Sequence, residues 1–390
     1  MHPPFDARIE ACRRRLETVG AELLVCFPSP NLTYLTGFVE SPSERHFLLF
    51  VPRDGAPAIV APAMYEAQLD SLGVPNVRLW DDETDPLAVT EELLEGIALE
   101  SANSADEPTV LLDDRMWTTF NHDLRSLLPG AEFGLASAVL EELRIRKDGT
   151  ELAALRRAGA VADRVSLEVR SRGEELVGTT EAELASEIDS LLAAEGGGEP
   201  AFETIVAAGP NGARPHHHPG DREIERGEPI VLDFGAFVEA ELEVGTARYP
   251  GDQTRTIVVG EPPAEYERVH QVVREAQGAA VDAVEPGVEA GEIDRLARSV
   301  IEEAGYGDAF VHRTGHGVGL EVHEPPYITA SNDRELEPGM VFSVEPGIYL
   351  EGEFGVRLED LVVVTEEGCE RLNDSPRGWE SGKDIGRSGS

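Results

Sequence analysis

Hydrophobic positions in the first part of the chain follow two alternating patterns. Apolar residues at helical spacing run over 9–19, and short, almost continuous apolar runs follow at 22–27, 47–51, 58–61 and 110–113. The first pattern is typical of an amphipathic helix, and the second is typical of strands in a buried sheet. Residues 1–143 are therefore predicted to form an N-terminal α/β domain.

The pattern changes at residue 144, where a second domain is predicted to begin. A long helix is expected from Thr150, which is a candidate N-cap, and a Gly- and Pro-rich linker lies at 196–200. Further helices are predicted over 181–194, 264–283 and 291–304, and strands over 204–208, 229–237, 254–259 and within 341–364. The sequence thus predicts an α+β domain over 144–373, followed by a disordered tail over 374–390, which is rich in Ser, Gly and charge.

Composition limits the partners of the chain. Its 390 residues are 41% hydrophobic and 28% charged, which describes a globular protein. Asp and Glu number 75 against 33 Lys and Arg, a net charge of −42, so nucleic acid is excluded as a partner. Lys147 and Lys383 are the only lysines. We interpret the acid excess as adaptation to high salt, with a GC-rich genome as the alternative source of the Arg excess.

Cysteines and hydropathy indicate the compartment. Cys12, Cys26 and Cys369 are odd in number and widely spaced, so no disulfide framework or zinc ribbon is expected. No apolar stretch reaches the length of a membrane span, and Arg13–Arg15 interrupt the N-terminal segment. We therefore expect a cytoplasmic protein with no membrane partner.

Candidate chemistry lies in the second domain, since motifs for a serine hydrolase, a P-loop, a zincin and a dinucleotide fold are absent. Four acidic residues and one histidine lie in segments that are apolar or flanked by glycine. They are Asp233, Asp252, His316, Glu345 and Glu359. Taken singly, each is better explained as part of an ordinary turn or loop. Together, four carboxylates and one imidazole suit a pair of divalent cations such as Mn, Co or Zn, which would offset the cost of burying the acids.

These five segments, in this order, resemble the pita-bread metallopeptidases, and the chain is most similar to the Xaa-Pro branch, which contains prolidase and aminopeptidase P. The resemblance covers nearly the whole chain. Residues 31–38 (NLTYLTGF) resemble the creatinase/prolidase N-terminal domain, and residues 145–151 (IRKDGTE) resemble the entry to the catalytic domain. The fold implied is a two-domain α/β protein, with a creatinase/prolidase-type N-terminal domain before a pita-bread α+β catalytic domain.

The resemblance also implies a role for each ligand. Asp233 would bind one metal in bidentate fashion, Asp252 and Glu359 would bridge two metals, and His316 with Glu345 would bind the second. Two divalent ions, Mn or alternatively Co or Zn, would then activate a hydroxide that attacks the Xaa-Pro bond of a proline-containing peptide. Glu345 would carry the proton to the leaving nitrogen.

Four further residues resemble the family's substrate and transition-state contacts. They are His216, His312, His323 and Arg357. His217 and His218 are expected to be exposed loop residues. Arg357 is expected on one strand with Glu359, where both side chains would point to the same side.

One departure from the family pattern is the 19-residue spacing between Asp233 and Asp252. The extra residues, 238–250, contain a candidate turn at 245–247. If both strands lengthen equally, the cross-strand pairing of the two aspartates is expected to survive. Glu239, Glu241 and Glu243 are competing candidate ligands that match no family motif.

Two other functions stay open on the same frame. They are a creatinase-like hydrolase that acts on a non-peptide substrate and a non-catalytic binding protein, and relatives of both kinds lack the ligand set present here. Dipeptides and longer peptides are both open as substrates. A homodimer is expected.

Overall fold

The computed structural model describes residues 4–97, 99 and 107–382. The chain divides into two compact units. Unit 1 comprises Met1–Arg144 with Glu241–Ala247, and unit 2 comprises Ile145–Ala240 with Arg248–Ser390. Within the described ranges, no helix is both long and apolar enough to cross a membrane.

Unit 1 is built around a mixed sheet of short, buried strands. Its strands are β1 Leu23–Cys26, β2 Leu48–Pro52, β3 Ala58–Pro62, β4 Asn76–Trp80, β5 Thr109–Leu112 and β6 Glu132–Leu135. Its helices are α1 Phe5–Val19, α2 Pro30–Thr36, α3 Glu66–Leu72, α4 Pro86–Glu95, α5 Thr118–Leu127 and α6 Ser137–Arg144. The sheet order is β4-β3-β2-β1-β5-β6. Strands β1, β2 and β3 are buried at every position, which explains their continuous apolar runs and confirms the predicted α/β class.

The first half of unit 2 packs two helices on an antiparallel sheet. Helices α7 Gly149–Ser171 and α8 Glu181–Ala194 are followed by β7 Ile205–Ala208, β8 Pro229–Phe234, β9 Phe237–Glu239, β10 Arg248–Pro250 and β11 Gln253–Val258. Strand β8 lies between β11 and β7, and β9 pairs with β10. Apolar residues of both helices and of the sheet form one core cluster, because each element presents a single apolar face.

The second half of unit 2 repeats this arrangement. Helices α9 Tyr266–Asp282 and α10 Ala290–Glu303 precede β12 Gly315–Gly317, β13 Glu324–Ile328, β14 Val341–Val344, β15 Gly347–Leu350, β16 Phe354–Arg357, β17 Asp360–Val364 and β18 Cys369–Arg371. The sheet order is β13-β12-β14-β17-β18, and β15 pairs with β16. A second core cluster forms between these helices and strands. The predicted α+β class of this unit is confirmed.

The long hairpin between Asp233 and Asp252 keeps one register along its length. Phe234 pairs with Gln253, and Phe237 pairs with Pro250. Both strands have therefore lengthened equally, as expected. Asp233 lies directly opposite Thr254, so Asp252 is its diagonal neighbour on the same face instead of its direct partner.

The tip of the hairpin belongs to unit 1. The amide of Thr246 donates to the carbonyl of Gly37 at 2.8 Å. Gly245 adopts φ 77°, the left-handed region that favours glycine, and a Cβ there would lie 3.0 Å from the backbone of Gly37. Glu239, Glu241 and Glu243 are exposed on the hairpin.

Three local expectations differ from the structure. Helix α7 is capped by Asp148, whose side chain accepts from the amides of Thr150 and Glu151, so Thr150 is not the cap. A carboxylate accepts hydrogen bonds at a cap as readily as a hydroxyl does, and Glu151 completes the capping box. The predicted strand over 229–237 breaks after Phe234.

The expected disordered tail is the third difference, because the chain is ordered as far as residue 382. The amides of Asp374 and Ser375 donate to the carboxylate of Asp163, at 2.7 and 2.8 Å, and the carbonyl of Trp379 accepts from Val258 at 2.9 Å. These hydrogen bonds satisfy backbone groups of residues 374–382, a segment that was predicted to be disordered from its composition alone. Residues 383–390 lie outside the described residues.

Candidate metal and substrate site

The five predicted ligands lie together in unit 2, on elements that are far apart in sequence. Asp233 lies near the end of β8, Asp252 precedes β11, and His316 is the middle residue of β12. Glu345 follows β14, and Glu359 lies between β16 and β17. All five line one cavity of about 360 Å³.

Three of these residues form the tightest group. One ligand atom each of Asp252, His316 and Glu359 lie within 4.8 Å of one another, and all three side chains are buried. Nε2 of His316 is 3.7 Å from Oδ2 of Asp252 and 3.2 Å from Oε1 of Glu345. One nitrogen and several carboxylate oxygens are a donor set that borderline divalent cations accept.

Two buried oxygens in the group lack a hydrogen-bond partner among the described residues. They are Oδ1 of Asp233 and Oε1 of Glu359. A buried carboxylate oxygen without a partner is costly, since it has lost its water and gained nothing in return. The two oxygens point to cations as the missing partners, so the residues present fit divalent metals.

Repulsion between the carboxylates of this group also points to bound cations. Burial, followed by repulsion from neighbouring carboxylates, raises the pKa of Asp252 and of Glu359 well above their usual range. Burial also raises the pKa of Asp233. For Glu345 burial acts in the same direction, but the hydrogen bond and charge of His316 prevail and lower its pKa to about 2. Bound cations would remove the repulsion among these carboxylates.

Two hydroxyls that the sequence analysis missed orient the carboxylates. Oγ1 of Thr254 donates to Oε2 of Glu359 at 2.7 Å, and the carbonyl of Thr254 accepts from the amide of Glu359 at 3.1 Å. Oγ of Ser343 donates to Oε1 of Glu345 at 3.1 Å and accepts from the amide of His316 at 3.1 Å. Such hydrogen bonds fix the geometry of candidate ligands. Both residues sit beside motif residues, but a hydroxyl in a strand carries no sequence signal of its own.

Arg357 lies in the cavity, but its partner is not the expected one. Its guanidinium donates to Oδ2 of Asp233 at 2.5 Å, to the hydroxyl of Tyr349 at 2.9 Å and to Oγ1 of Thr254 at 3.1 Å. The expectation that it lies beside Glu359 on one strand is wrong. Residues 356–364 do not form a single strand. Arg357 pairs with Gly347 in one sheet, and Asp360 pairs with Val344 in another.

Tyr349, which the sequence analysis also missed, links Arg357 to His312. Its hydroxyl lies 2.8 Å from Nε2 of His312, so it accepts from Arg357 and donates to the imidazole. Burial raises the pKa of Tyr349 to about 12 and lowers the pKa of His312. The phenol is therefore a protonated donor, and His312 is neutral at pH 7.

The other predicted histidines lie around the cavity. His216 is exposed at its edge. The ring of His323 stands almost perpendicular to that of His316, with 4.1 Å between centroids. His323 is exposed on the cavity side, but partial desolvation and the neighbouring charge of His316 lower its pKa to about 4.

His217 and His218 differ from each other. His218 is exposed, as expected, and contacts Glu203. His217 is not an exposed loop residue, because its Nε2 lies 2.7 Å from Oε2 of Glu181, a carboxylate with no exposed surface. Glu181 also accepts from the amide of Ala208 at 2.8 Å, so the pair ties the loop to the start of α8. Nothing local in a run of three histidines identifies which one meets a distant acid.

Comparisons with known proteins agree with this geometry. Residues 153–366 match the sequence profile of metallopeptidase family M24, and residues 8–146 match that of the creatinase/prolidase N-terminal domain. The chain is 41% identical over 382 residues to the probable dipeptidase PepE of Mycobacterium tuberculosis, which covers 95% of this chain and 96% of the relative. It is 35% identical to the Xaa-Pro dipeptidase of Lactobacillus delbrueckii subsp. lactis, with coverage of 90% and 93%.

Solved structures give the same result. The prolidase from Thermococcus sibiricus superposes with a TM-score of 0.87 at 36% identity, covering 97% of this chain and 100% of that one. The dipeptidase PepE from Mycobacterium ulcerans has a TM-score of 0.85 at 39% identity, covering 96% and 97%.

Proposed function

The chain belongs to metallopeptidase family M24, and from this premise we propose that it hydrolyses Xaa-Pro peptide bonds with two divalent metal ions. The observation that carries the proposal is the buried group of Asp252, His316 and Glu359, with Asp233 and Glu345 lining the same cavity. Relatives of high coverage are an Xaa-Pro dipeptidase and a prolidase, which supports this substrate class.

The ligand assignment is part of the proposal. Asp233 would hold one ion, His316 and Glu345 the other, and Asp252 and Glu359 would lie between them. Divalent metals bound there supply an activated water and polarise the scissile carbonyl. Manganese is the proposed metal, with cobalt or zinc as alternatives, because oxygen donors outnumber nitrogen four to one in this set.

Side chains around the ligands bind and orient the substrate in this proposal. Glu345, itself a proposed ligand, would also act as the general acid–base that passes a proton to the leaving nitrogen. Tyr349 holds Nε2 of neutral His312, so this imidazole has a fixed orientation at the cavity wall. His216 and His323 stabilise the charge that develops on the carbonyl oxygen. Arg357 keeps Asp233 in place.

The two alternative functions have no feature in their favour. Relatives that are creatinase-like hydrolases or non-catalytic binding proteins lack the full ligand set. In this chain all five candidate ligands are present and line one cavity. An Xaa-Pro bond has no amide proton for a protease to hold, so a site that acts on the carbonyl suits it.

Arg313 bears on the length of the substrate. Its guanidinium lies over the ring of Tyr327, at 4.5 Å, and the residue lines the cavity. Among the described residues it has no carboxylate partner, whereas Arg357 is occupied by Asp233. We therefore propose that Arg313 binds the free carboxylate of a dipeptide, which makes dipeptides better substrates than longer peptides.

One assay series tests these proposals. Steady-state kcat/KM is measured on Ala-Pro, Ala-Ala and Ala-Pro-amide, before and after chelation and with Mn, Co or Zn added back. We expect kcat/KM to be higher on Ala-Pro than on Ala-Ala or Ala-Pro-amide. Chelation should abolish the activity, and added metal should restore it. Full activity after verified metal removal contradicts the metal-dependent function. Equal rates on Ala-Pro and its amide contradict only the role of Arg313.

A homodimer and a cytoplasmic location stay predictions. The three free cysteines support a reducing compartment. Light scattering of the purified chain measures its oligomeric state.

A further inference from the structure

A buried ion pair lies behind the loop that carries His323. Nζ of Lys147 donates to Oε1 of Glu324 at 2.8 Å and to the carbonyl of Ile145 at 3.3 Å. The Lys147 side chain is 0% exposed and that of Glu324 is 5% exposed. This lysine is the only one among the described residues of a chain in which 31 of 33 basic residues are arginine. Burying two charges is expensive, so the pair needs an explanation beyond solubility.

Glu324 is the first residue of β13, and its carboxylate faces back towards the loop that joins β12 to β13. Oε2 of Glu324 accepts from the amide of Glu321 at 3.4 Å, and a Cβ on Gly319 would lie 2.2 Å from Oε1 of Glu324. A Cβ on Gly317 would likewise lie 2.2 Å from the carbonyl oxygen of Pro325. The loop is therefore closed tightly around the carboxylate, and His323 is the residue immediately before it.

Lys147 joins both strands that flank β12. Its backbone amide donates to the carbonyl of Gly339 at 2.8 Å, just before β14, while its side chain reaches Glu324 at the start of β13. Strand β12, which carries His316, lies between β13 and β14. One residue thus fixes the loop of His323 relative to the strand of His316, whose ring His323 touches.

We propose that Lys147 is a positioning residue, which holds His323 against the candidate metal ligands through the buried ion pair with Glu324. This inference rests on the proposed Xaa-Pro peptidase function. Lys147 lines no part of the cavity and touches no ligand, so it acts only through the loop. The ammonium of Lys147 is a compact donor that reaches Glu324 and the carbonyl of Ile145 from a buried position, whereas a planar guanidinium is larger.

The test combines Lys147→Met with His323→Ala in a double-mutant cycle. We expect Lys147→Met to lower kcat on Ala-Pro by about 10- to 100-fold, because a displacement near 1 Å is enough for such a loss. Metal content should stay at the wild-type value. The double variant should be no worse than His323→Ala alone, within twofold, because the lysine has no histidine left to position.

The matched control is Arg146→Met, the neighbouring residue, whose ion pair with Glu337 is exposed. Its kcat should stay within twofold of wild type. If Lys147→Met does not fold, Lys147→Met/Glu324→Met takes its place in the cycle, since removing both charges leaves none buried without a partner.

Three results would overturn the inference: an unchanged kcat in the lysine variant, losses that multiply in the double variant, or loss of metal from the lysine variant. A wild-type protein that does not cleave Ala-Pro contradicts the proposed function instead, and the two failures are thereby distinguished.

Discussion

At the scale of single residues, the site is built from groups that oppose folding unless something binds them. Asp252 and Glu359 are buried close to other carboxylates, and one oxygen of Glu359 has no hydrogen-bond partner among the described residues. Their repulsion is a cost to the metal-free protein, because it is absent in the unfolded chain. The same close approach of buried carboxylates favours the binding of a cation.

Asp252→Asn should therefore have opposite effects on stability and activity. We expect it to stabilise the metal-free protein by about 1 kcal/mol or more, since one buried charge is removed with little change of shape. It should lower kcat/KM on Ala-Pro at least about a hundredfold. Urea unfolding in chelator and steady-state kinetics measure the two effects. Glu370→Gln, in an exposed pair with Arg156, is the control, and a destabilised Asp252→Asn would contradict the repulsion.

His270 predicts an acid limit to stability. Its side chain is 3% exposed, its Nε2 has no hydrogen-bond partner among the described residues, and burial lowers its pKa to about 4. Protonation below pH 6.5 therefore favours the unfolded chain, so this contribution is complete at neutral pH and decreases as the pH falls towards 4. Between pH 7.5 and pH 5 the loss should be about 2 kcal/mol.

The variant His270→Leu isolates this contribution. The change in unfolding free energy between the two pH values should be about 2 kcal/mol smaller in the variant than in wild type. Urea titrations at both pH values measure it, and the pH difference cancels any packing effect of the substitution. Identical pH dependence in the two proteins would mean that His270 does not titrate over this range.

At the scale of elements, each segment that carries a site histidine is tied to a buried charge. Asp294 on α10 accepts from the amide and hydroxyl of Thr314, between His312 and His316. Glu181 at the start of α8 holds the loop of His216 through His217. Lys147 and Glu324 hold the loop of His323. Buried carboxylates on helices α8 and α10 and one buried ion pair thus hold these loops, which glycine alone would leave flexible.

The start of α7 offers a test of how a helix end is chosen. Asp148→Ala should destabilise the protein by about 1 kcal/mol, because the cap of a 23-residue helix is lost together with its capping box. Thr150→Ala should change stability by less than about 0.5 kcal/mol, since its side chain does not cap. Thermal unfolding of the two variants compares them directly. A larger loss at Thr150 would restore the cap expected from sequence.

At the scale of the whole molecule, we expect the net charge to make stability depend on salt. A net charge of −42 makes the folded protein repel itself, and the Debye length grows from about 3 Å at 1 M salt to about 10 Å at 0.1 M. We predict that the Tm rises with KCl, with most of the gain reached by a few hundred millimolar. Differential scanning calorimetry from 0.1 to 2 M KCl measures it.

A sulfate salt at matched ionic strength provides the control, because sulfate also strengthens apolar burial. Similar Tm values in the two salts indicate that screening dominates. A Tm that is flat in KCl would contradict adaptation to high salt and favour codon bias as the source of the Arg excess.

The sequence by itself determined the fold class, several of the main helices and strands, and the nine candidate site residues, but not Thr254, Ser343 or Tyr349. Periodicity depends on neighbours within one element, so α8 was placed at its observed bounds and the sheet strands within a few residues. The five ligand motifs are ambiguous when taken singly, and the order of all five along the chain, through its resemblance to a known family, identified them as a set. All five proposed ligands and all four proposed substrate contacts line the cavity.

Only the tertiary structure decided which of these groups meet. Arg357 faces Asp233 instead of Glu359 because the chain changes sheets between residues 357 and 360. Asp360, one residue after a candidate ligand, pairs with buried Arg255 at 2.6 Å. His217 meets Glu181 and Lys147 meets Glu324 across 36 and 177 positions. Contacts of this kind depend on packing between elements, and no local pattern of polar and apolar residues encodes them.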